Sequence, residues 1–440
     1  MRKFFPTFLL FALLLALVPT ASAQPAAADL AGTWQGTLHA GAGLRTVLKI
    51  TSDGAGGWKG EMYSIDQVPT PFPLDSVTLS GSEFAFALNA FNAKYHGTLS
   101  ADGKSIKGTM TQGQDLPLEF ERATPATEWK IDASPHKVSF VEVEPGVKLE
   151  VLDWGGTGRP LILLAGLGSD AHVFDNNIAP KLAAKYHVYG ITRRGFGSSS
   201  VPAPTAENFS AHRLADDVLA VMDVLKIEQP VLAGHSMAGE ELSSIGIRHP
   251  EKVAGLIYLD AGYPYAYYDP ATAKGDPEMD WAQVRQEMDL LFKTASSQQR
   301  KEAAKLLAER DLPRFDRDIQ KLVRQLAEMP DNAPSPSDSP MARSAGAVML
   351  GVEVHGGVKC PALAIYALPH DFSKIPLVDE KKRAELKAED IVSTGAQADA
   401  FEKANPQARV VRLPNADHAV FASNEADVLR EMDAFIATLK

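Results

Sequence analysis

The sequence predicts an α/β fold: a mostly parallel sheet with helices on both faces and a helical cap, preceded by a small all-β domain. Three observations support this prediction. From about residue 136 onward, short buried runs alternate with segments of helical period, which is typical of parallel strands joined by crossover helices. A long insertion of helical composition separates two of those runs. Residues 30–122 instead contain short, Thr-rich, alternating runs between turn signals, and such runs indicate antiparallel strands.

Composition limits the classes of protein to which the chain can belong. Its 440 residues are 45% apolar, which favours globular packing over disorder, and this length predicts two domains. The net charge of −11 makes nucleic acid an unexpected partner. Cys360 is the only cysteine in the sequence, so no intramolecular disulfide is expected.

Residues 1–23 are predicted to be a cleavable secretory signal. Arg2 and Lys3 supply the positive start, residues 7–18 form an apolar core, and Ala21-Ser22-Ala23 ends in the predicted cleavage site. The apolar core is too short to span a bilayer, and no other stretch approaches the roughly 20 apolar residues that a membrane helix needs. Cleavage changes the net charge from −11 to −13. We therefore expect an exported protein, periplasmic or secreted, with no membrane span after cleavage.

A small all-β domain is predicted over residues 30–122, followed by a polar linker over residues 123–135. Turn signals such as Ser52-Asp53-Gly54 and Ser80-Gly81-Ser82 separate the runs, so successive strands form a meander that resembles a barrel. Six aromatic residues either line a ligand cavity or fill the core, and the second role is the expected one: Trp34, Trp58, Phe84, Phe86, Phe91 and Tyr95.

The second domain is predicted over residues 136–440, and its elements follow in a regular order. Residues 138–143 and 147–154 alternate like two paired strands. Apolar runs then predict buried strands at residues 161–164, 253–260, 361–366 and 408–413. Ser210 is predicted to cap a helix with one apolar face, formed by Leu214, Val218, Val221, Met222 and Leu225. A final helix is expected from about residue 425 to residue 439.

The segment of residues 231–239 is the one around which the second domain is organised. A buried apolar run leads into Gly-His-Ser-Met-Ala-Gly, and the helix formers Glu240-Glu241-Leu242 follow. This order predicts a strand that turns sharply into a helix and exposes Ser236 at the turn, with a positive φ. Small residues at Gly234 and Ala238 allow the strand and the helix to approach. The alternative is an ordinary junction in which the serine caps the helix.

The long insertion between two strands is predicted to be a cap over residues 263–356. Helical composition covers residues 277–294, 297–310 and 315–329, and a Pro/Ser/Asp loop follows them. Four tyrosines open the insertion and either line a pocket or pack the cap against the core: Tyr263, Tyr265, Tyr267 and Tyr268.

Over residues 136–440 these features resemble the α/β-hydrolase superfamily. Ala165-Gly166-Leu167-Gly168 is similar to its oxyanion loop, residues 193–198 to its Arg-Gly-x-Gly-x-Ser segment, and residues 234–238 to its nucleophile elbow. The family usually has histidine where Ala165 stands, so the hydrogen-bonding support of this loop is either missing or supplied by another group. The resemblance implies that the cap shapes the substrate pocket. It also disfavours dehalogenase or epoxide hydrolase activity, because those relatives carry aspartate at the serine's position.

The β domain is similar in composition to a small module that often precedes secreted bacterial serine hydrolases.

Acyl transfer needs a nucleophile, a base, a carboxylate that orients the base, and donors for the oxyanion. We expect Ser236 as nucleophile and His418 as base, since His418 follows a buried run and precedes the final helix. Asp371, after the strand at residues 361–366, is the expected acid. The usual family spacing would fall on His370, so a loop longer by one residue is required. Asp260, at the end of the preceding strand, is the alternative acid.

Other candidate groups complete the expected site. The resemblance implies that the backbone N–H groups of Leu167 and Met237 bind the oxyanion, Met237 because it opens the helix whose positive end faces the site. His172 and His370 have weaker placements. No cluster has metal-ligand spacing and no Gly-rich loop follows a phosphate-binding pattern, so neither a metal nor another cofactor is implied.

The sequence therefore predicts an exported serine hydrolase that cleaves a small-molecule ester through an acyl-enzyme intermediate. The same fold also serves amidases, peptidases and cofactor-free perhydrolases related to haloperoxidases, so these alternatives remain. A further alternative is a ligand-binding protein without catalysis, in which the β domain captures the ligand.

Overall fold

The computed structural model describes residues 30–40, 42–65, 68–131, 136–272, 276–293, 296–328, 340–374 and 379–440. The predicted signal, residues 1–23, lies outside these ranges, as does most of the predicted loop between cap helices. Within the described residues, no helix combines the length and apolar character needed to cross a membrane.

An antiparallel sheet of nine strands forms the N-terminal part, as predicted. The strand order is β4-β3-β2-β1-β9-β8-β7-β6-β5. Strands that follow each other in the chain pair within β1 to β4 and within β5 to β9, and β1 pairs with β9 to join the two sets. The strands are β1 (Gly32–Ala40), β2 (Ala42–Ser52), β3 (Trp58–Ser64), β4 (Val68–Pro73), β5 (Ser76–Ser80), β6 (Glu83–Leu88), β7 (Ala93–Leu99), β8 (Ser105–Gln112) and β9 (Gln114–Arg122).

The aromatic residues of this sheet form its core. Trp34, Phe84, Phe86 and Tyr95 are buried in one cluster, and Trp58 and Phe91 pack against it. The Tyr95 hydroxyl donates to the Leu118 carbonyl at 2.9 Å, which satisfies the one polar atom that this ring brings into the core. Of the two roles predicted for the aromatic residues, the structure therefore shows core packing.

The second sheet has eight strands in the order β10-β11-β13-β12-β14-β15-β16-β17. The pairs β10 with β11 and β11 with β13 are antiparallel, and the remaining pairs are parallel. The predicted mostly parallel sheet is therefore confirmed. Its strands are β10 (Lys137–Glu144), β11 (Val147–Gly155), β12 (Pro160–Leu164), β13 (His187–Ile191), β14 (Val231–His235), β15 (Gly255–Leu259), β16 (Ala362–Ala367) and β17 (Ala408–Leu413).

Helices cover both faces of the second sheet and form an insertion between β15 and β16. They are α1 (Ile178–Leu182), α2 (Ala211–Leu225), α3 (Gly239–Arg248), α4 (Pro277–Phe292), α5 (Ser297–Leu306), α6 (Leu312–Ala327), α7 (Pro340–Gly351), α8 (Glu380–Ala404), α9 (Val420–Ser423) and α10 (Glu425–Ile436). Helices α2, α3 and α8 bury residues such as Val218, Leu242 and Phe401 on one face. Helices α1 and α10 bury Leu182 and Met432 on the other. Ser210 caps α2 as predicted, by accepting from the Arg213 N–H.

The cap consists of α4 to α7, and it packs on the sheet through an apolar cluster of its own. Met279 and Ala282 of α4 and Val348 of α7 meet Phe196 and Met237 of the sheet domain. The longest of the helices that were not predicted is α8. α8 has 25 residues but buries only three of them, Thr394, Ala398 and Phe401, so its sequence carries little of the apolar periodicity that reveals a helix.

Candidate active site

Ser236 lies at the sharp turn between β14 and α3. Its φ is +51°, the left-handed conformation that the sequence predicted and that few residues other than glycine adopt. The close approach at this turn depends on small residues: a Cβ at Gly234 would lie 3.0 Å from the Cβ of Ala238. Ala238 is fully buried, so its methyl group fits there and a larger side chain would collide. The turn therefore presents the serine hydroxyl at the end of the strand.

The structure brings Ser236, His418 and Asp260 into one chain of hydrogen bonds. His418 Nε2 lies 2.8 Å from Ser236 Oγ, and His418 Nδ1 lies 2.6 Å from Asp260 Oδ2. Because an ionised carboxylate only accepts, Nδ1 carries the proton that faces Asp260, and Nε2 is left to accept from the serine hydroxyl. The Asp260 side chain is fully buried, whereas that of His418 is half exposed. This geometry leaves the base accessible and hides the group that orients it.

The expected acid was Asp371, and the structure corrects this choice in favour of the alternative, Asp260. His370 forms a bridge with Ala416 of the loop that carries His418, and its Nε2 lies 3.0 Å from Asp260 Oδ2, so its side chain faces the site. Asp371 is the next residue in this loop. Its carboxylate accepts from the Ser373 N–H at 2.9 Å, which closes a local turn.

The Asp260 carboxylate is buried and accepts hydrogen bonds from four donors. Oδ1 accepts from the Ala367 N–H at 2.9 Å and from the Tyr263 hydroxyl at 3.0 Å, while Oδ2 accepts from His418 and also from His370 Nε2 at 3.0 Å. Burial alone would raise the pKa of Asp260, but the hydrogen bonds from His370 and His418 outweigh it and hold the pKa below its usual value. Asp260 is therefore ionised when His418 is ready to accept a proton.

His370 and Tyr263 are site residues whose contacts with Asp260 were not predicted. His370 Nδ1 lies 3.0 Å from Asp390 Oδ1 of α8, so the ring is held between two carboxylates. One signal in the sequence pointed here, because the spacing typical of the family placed the acid at position 370. Tyr265 is partly buried and packs against both the core of the sheet and the cluster beneath the cap.

The opposite side of Ser236 is formed by the loop after β12. A Cβ at Gly166 would lie 3.1 Å from the Cβ of Ser236, so only glycine lets this loop pass so close to the nucleophile. Leu167 follows it, and Met237 follows Ser236. The two predicted oxyanion donors thus belong to segments that flank the serine.

Arg193 supplies the support that the absent histidine at position 165 would give this loop. Its guanidinium donates to the Ala165 carbonyl at 3.1 Å and to the Gly166 carbonyl at 3.4 Å. It also forms a two-point ion pair with Glu241 of α3, at 2.7 and 3.0 Å. Arg193 therefore joins the oxyanion loop to the helix that follows the nucleophile, within a buried pair of fixed geometry.

The remaining histidines near the site have structural partners. His235 Nε2 lies 3.1 Å from the His418 carbonyl oxygen, and burial lowers its pKa to about 4, so it supports the His418 loop as a neutral ring. His172 has Asp175 Oδ2 at 2.8 Å on Nδ1 and Glu150 Oε1 at 3.6 Å on Nε2. It therefore belongs to a buried polar cluster behind the oxyanion loop.

Among the residues that the structure describes, two groups carry donor atoms close enough to share a cation: His136, His172 and Asp175, and Asp260, His370 and His418. In both groups the ring nitrogens face carboxylate oxygens directly, at 3.1 Å for His136 and Asp175 and at 2.6 to 3.0 Å around Asp260. In each group one carboxylate, Asp175 or Asp260, therefore lies within contact distance of both rings.

Comparison with known proteins shows which proteins this chain resembles. The model of the alpha/beta hydrolase fold family matches residues 159–425. The bifunctional epoxide hydrolase 2 of Mus musculus is 29% identical over 177 residues, which are 40% of this chain and 29% of that protein. The 2-hydroxymuconate semialdehyde hydrolase of Pseudomonas sp. (strain CF600) is 29% identical over 151 residues, 34% of this chain and 52% of that protein. The crystal structure of E-2-(acetamidomethylene)succinate hydrolase has a TM-score of 0.42 at 18% identity and covers 69% of this chain and 100% of that chain. The chain spans about half or less of the length of these curated relatives.

Proposed function

Because this chain belongs to the α/β hydrolase fold family, we propose that it is an exported serine hydrolase that cleaves small-molecule esters. The observation that carries the proposal is the hydrogen-bonded sequence from Ser236 Oγ through His418 to Asp260. A nucleophile, a base and an orienting carboxylate at hydrogen-bonding distance are the set that acyl transfer requires.

In the proposed reaction, Ser236 Oγ attacks the ester carbonyl carbon and its proton passes to His418 Nε2. The N–H groups of Leu167 and Met237 stabilise the oxyanion that develops. The carbon–oxygen bond to the alcohol then breaks, and His418 returns the proton to the departing alkoxide. Water attacks the acyl-enzyme in the second half, with His418 again as base, and releases the acid and the free serine.

Asp260 acts through His418 in this scheme. Its carboxylate keeps the proton of the imidazole on Nδ1, so Nε2 is free to accept, and it stabilises the imidazolium that forms during attack. Its lowered pKa keeps the negative charge in place over the range in which the base must work. The other donors on Asp260 prevent the carboxylate from turning away.

Ester hydrolysis is favoured over epoxide opening by the nucleophile itself. Relatives named epoxide hydrolases match this chain, but the position at the turn is Ser236, and a serine alkoxide is suited to attack on a carbonyl. Next to the turn, the cap packs against the sheet domain through buried apolar side chains, among them Phe196, Met237 and Met279.

The activity is tested with a panel of esters and matching amides of different chain length. We expect ester hydrolysis that falls about 10⁶-fold in Ser236→Ala while the melting temperature stays unchanged. Equal turnover of wild type and Ser236→Ala would contradict the mechanism. Turnover of amides but not of esters would keep the mechanism and change the substrate class.

Export is the second part of the proposal, and it rests on the composition of residues 1–23. The basic start, short apolar core and Ala-Ser-Ala site predict cleavage after Ala23. N-terminal sequencing of the protein from a bacterial host is expected to begin at Gln24 in the periplasmic or culture fraction. An uncleaved chain in the cytosolic fraction would contradict this proposal.

A further inference from the structure

His370 occupies a position that the three-residue site does not explain. It lies on the loop after β16, and its ring is held on both nitrogens: Nε2 is 3.0 Å from Asp260 Oδ2 and Nδ1 is 3.0 Å from Asp390 Oδ1. Its backbone N–H also donates to Asp390 Oδ2 at 2.8 Å. Asp390 is fixed in turn by the Thr394 hydroxyl at 2.7 Å. The ring is therefore fixed in position and in orientation.

Each nitrogen of the His370 ring faces a carboxylate. The protonated imidazolium is therefore the preferred form of this ring, because only that form donates from both nitrogens. Burial alone would lower the pKa of His370, but the hydrogen bonds and charges of Asp260 and Asp390 outweigh it and raise the pKa to about 9. At neutral pH, a positive charge thus lies against the oxygen of Asp260 that His418 also uses.

We propose that His370 is a positioning residue for the reaction: its imidazolium, held between Asp260 and Asp390, fixes the Asp260 carboxylate on His418 and partly neutralises its charge. This inference rests on the proposed function of Ser236 and His418. Its consequence follows from electrostatics, because a full negative charge on Asp260 would favour the protonated form of His418. The positive charge on His370 opposes this effect, so removing it strengthens the attraction of Asp260 for a proton on His418.

Among the described residues, no lysine or arginine is bonded to Asp260, so the charge on His370 is the one that balances this carboxylate. Asp260 and the Tyr263 hydroxyl reach it from the loop after β15, with Tyr263 at 3.4 Å from Nε2. Asp390 faces it from α8, and His418 lies across the site at 6.3 Å between ring centroids. Lys387, one turn earlier on α8, is bonded to Asn415 instead.

The test is the pH dependence of labelling by a fluorophosphonate, a probe that needs no knowledge of the substrate. Ser236 Oγ forms a bond to phosphorus, fluoride leaves, and the serine proton passes to His418, so the acid limb of the labelling rate reports protonation of His418. The full-length protein is compared with His370→Gln, which keeps a donor towards Asp260 without the charge, and with His370→Lys, which keeps a charge. His249→Gln is the matched control, since His249 is an exposed ring 3.8 Å from Glu251 on the loop after α3.

We expect the midpoint of the acid limb to rise by about one pH unit in His370→Gln, and to stay near the wild-type midpoint in His370→Lys and His249→Gln. A merely structural role would lower the labelling rate at every pH and leave the midpoint in place, and that result would overturn the inference. Equal midpoint shifts in the Gln and Lys variants would also overturn it. Failure of the wild-type protein to label at Ser236 would instead refute the proposed function.

A second measurement keeps the inference testable if the variants do not fold. NMR titration of the wild-type protein with labelled histidine is expected to show the His370 imidazole protonated well above pH 7, in line with its raised pKa of about 9. Loss of that proton near the ordinary value of about 6.5 would overturn the inference.

Discussion

At the scale of single residues, the Asp260 carboxylate connects most of the site. It follows the carboxyl end of β15 and lies between two histidines. Because it is buried and hydrogen-bonded to His418, a substitution at this position changes the contacts of His418 directly. Asp371, on the next strand's loop, instead closes a turn with Ser373. These two carboxylates therefore make a matched pair for mutagenesis.

We predict that Asp260→Asn lowers ester turnover by about 10⁴-fold, because an amide lets His418 adopt the wrong tautomer while the shape of the site is kept. Asp371→Asn is the control and should keep turnover within a few-fold of wild type. Steady-state kinetics of both variants checks the pair. The reverse result, with Asp371→Asn the damaging change, would return the role of acid to Asp371.

His172 provides a prediction about stability and pH. Burial alone would lower its pKa, but the hydrogen bond to Asp175 and the nearby carboxylates, Glu150 among them, raise it to about 10, whereas the unfolded value is about 6.5. A raised folded pKa contributes stability fully below the unfolded value, and this contribution is lost as pH rises through the folded value.

We therefore predict that His172→Gln lowers the free energy of unfolding most at about pH 6 and progressively less towards about pH 10. Denaturant unfolding of wild type and variant at several pH values measures the difference. A difference that stays constant, or grows with pH, would show that the ring is not held as an imidazolium.

At the scale of elements, α3 can pack closely against the loop after β15 because its first residue, Gly239, has no side chain. A Cβ at Gly239 would lie 2.1 Å from the Ala261 carbonyl oxygen, and Ala261 follows Asp260 in the chain. The start of this helix is therefore coupled to the position of the acid. In α7, Gly346 has no atom within 4 Å of its added Cβ and serves as the matched position.

We predict that Gly239→Ala destabilises the protein by about 1–3 kcal/mol through overpacking and lowers turnover as Asp260 shifts. Gly346→Ala should stabilise it by about 0.5–1 kcal/mol, since alanine costs less backbone entropy in a helix. Thermal unfolding of the two variants checks the contrast. Equal effects of the two changes would mean that the close approach at Gly239 is not restrictive.

At the scale of the whole molecule, the hydrophobic core of the N-terminal sheet is separate from the cores of the second sheet. The core of the N-terminal sheet contains Trp34 and Phe120, while the cores of the second sheet lie on its two faces. A polar contact between the two parts joins Asn176 Nδ2 to the Ile65 carbonyl at 2.9 Å. Separate hydrophobic cores favour separate unfolding.

We predict two unfolding transitions in calorimetry. Trp34→Ala should destabilise the N-terminal part by about 3–5 kcal/mol, lower the temperature of one transition and leave ester turnover unchanged at 25 °C. A single transition that shifts as a whole would show that the two parts unfold as one unit.

The fold and half of the site follow from local sequence signals. The turn at Ser236 was predictable because the apolar run, the small residues at 234 and 238 and the helix formers stand next to each other. The acid was not, because Asp260 and Asp371 end neighbouring strands, and the choice depends on which way a single residue faces in the loop after β16. The partner of His370 lies on α8, whose exposed sequence gives no apolar pattern. The support that Arg193 gives to the oxyanion loop depends on a contact with Glu241, 48 residues away.

The most direct test of the serine mechanism is to treat the folded protein with a fluorophosphonate and locate the adduct by peptide mass spectrometry. We predict one adduct, on Ser236, that forms in wild type and in Asp371→Asn, is absent from Ser236→Ala, and forms far more slowly in Asp260→Asn. A wild-type protein that carries no adduct at Ser236, or carries it elsewhere, would contradict the assignment and favour a protein that binds its ligand without cleaving it.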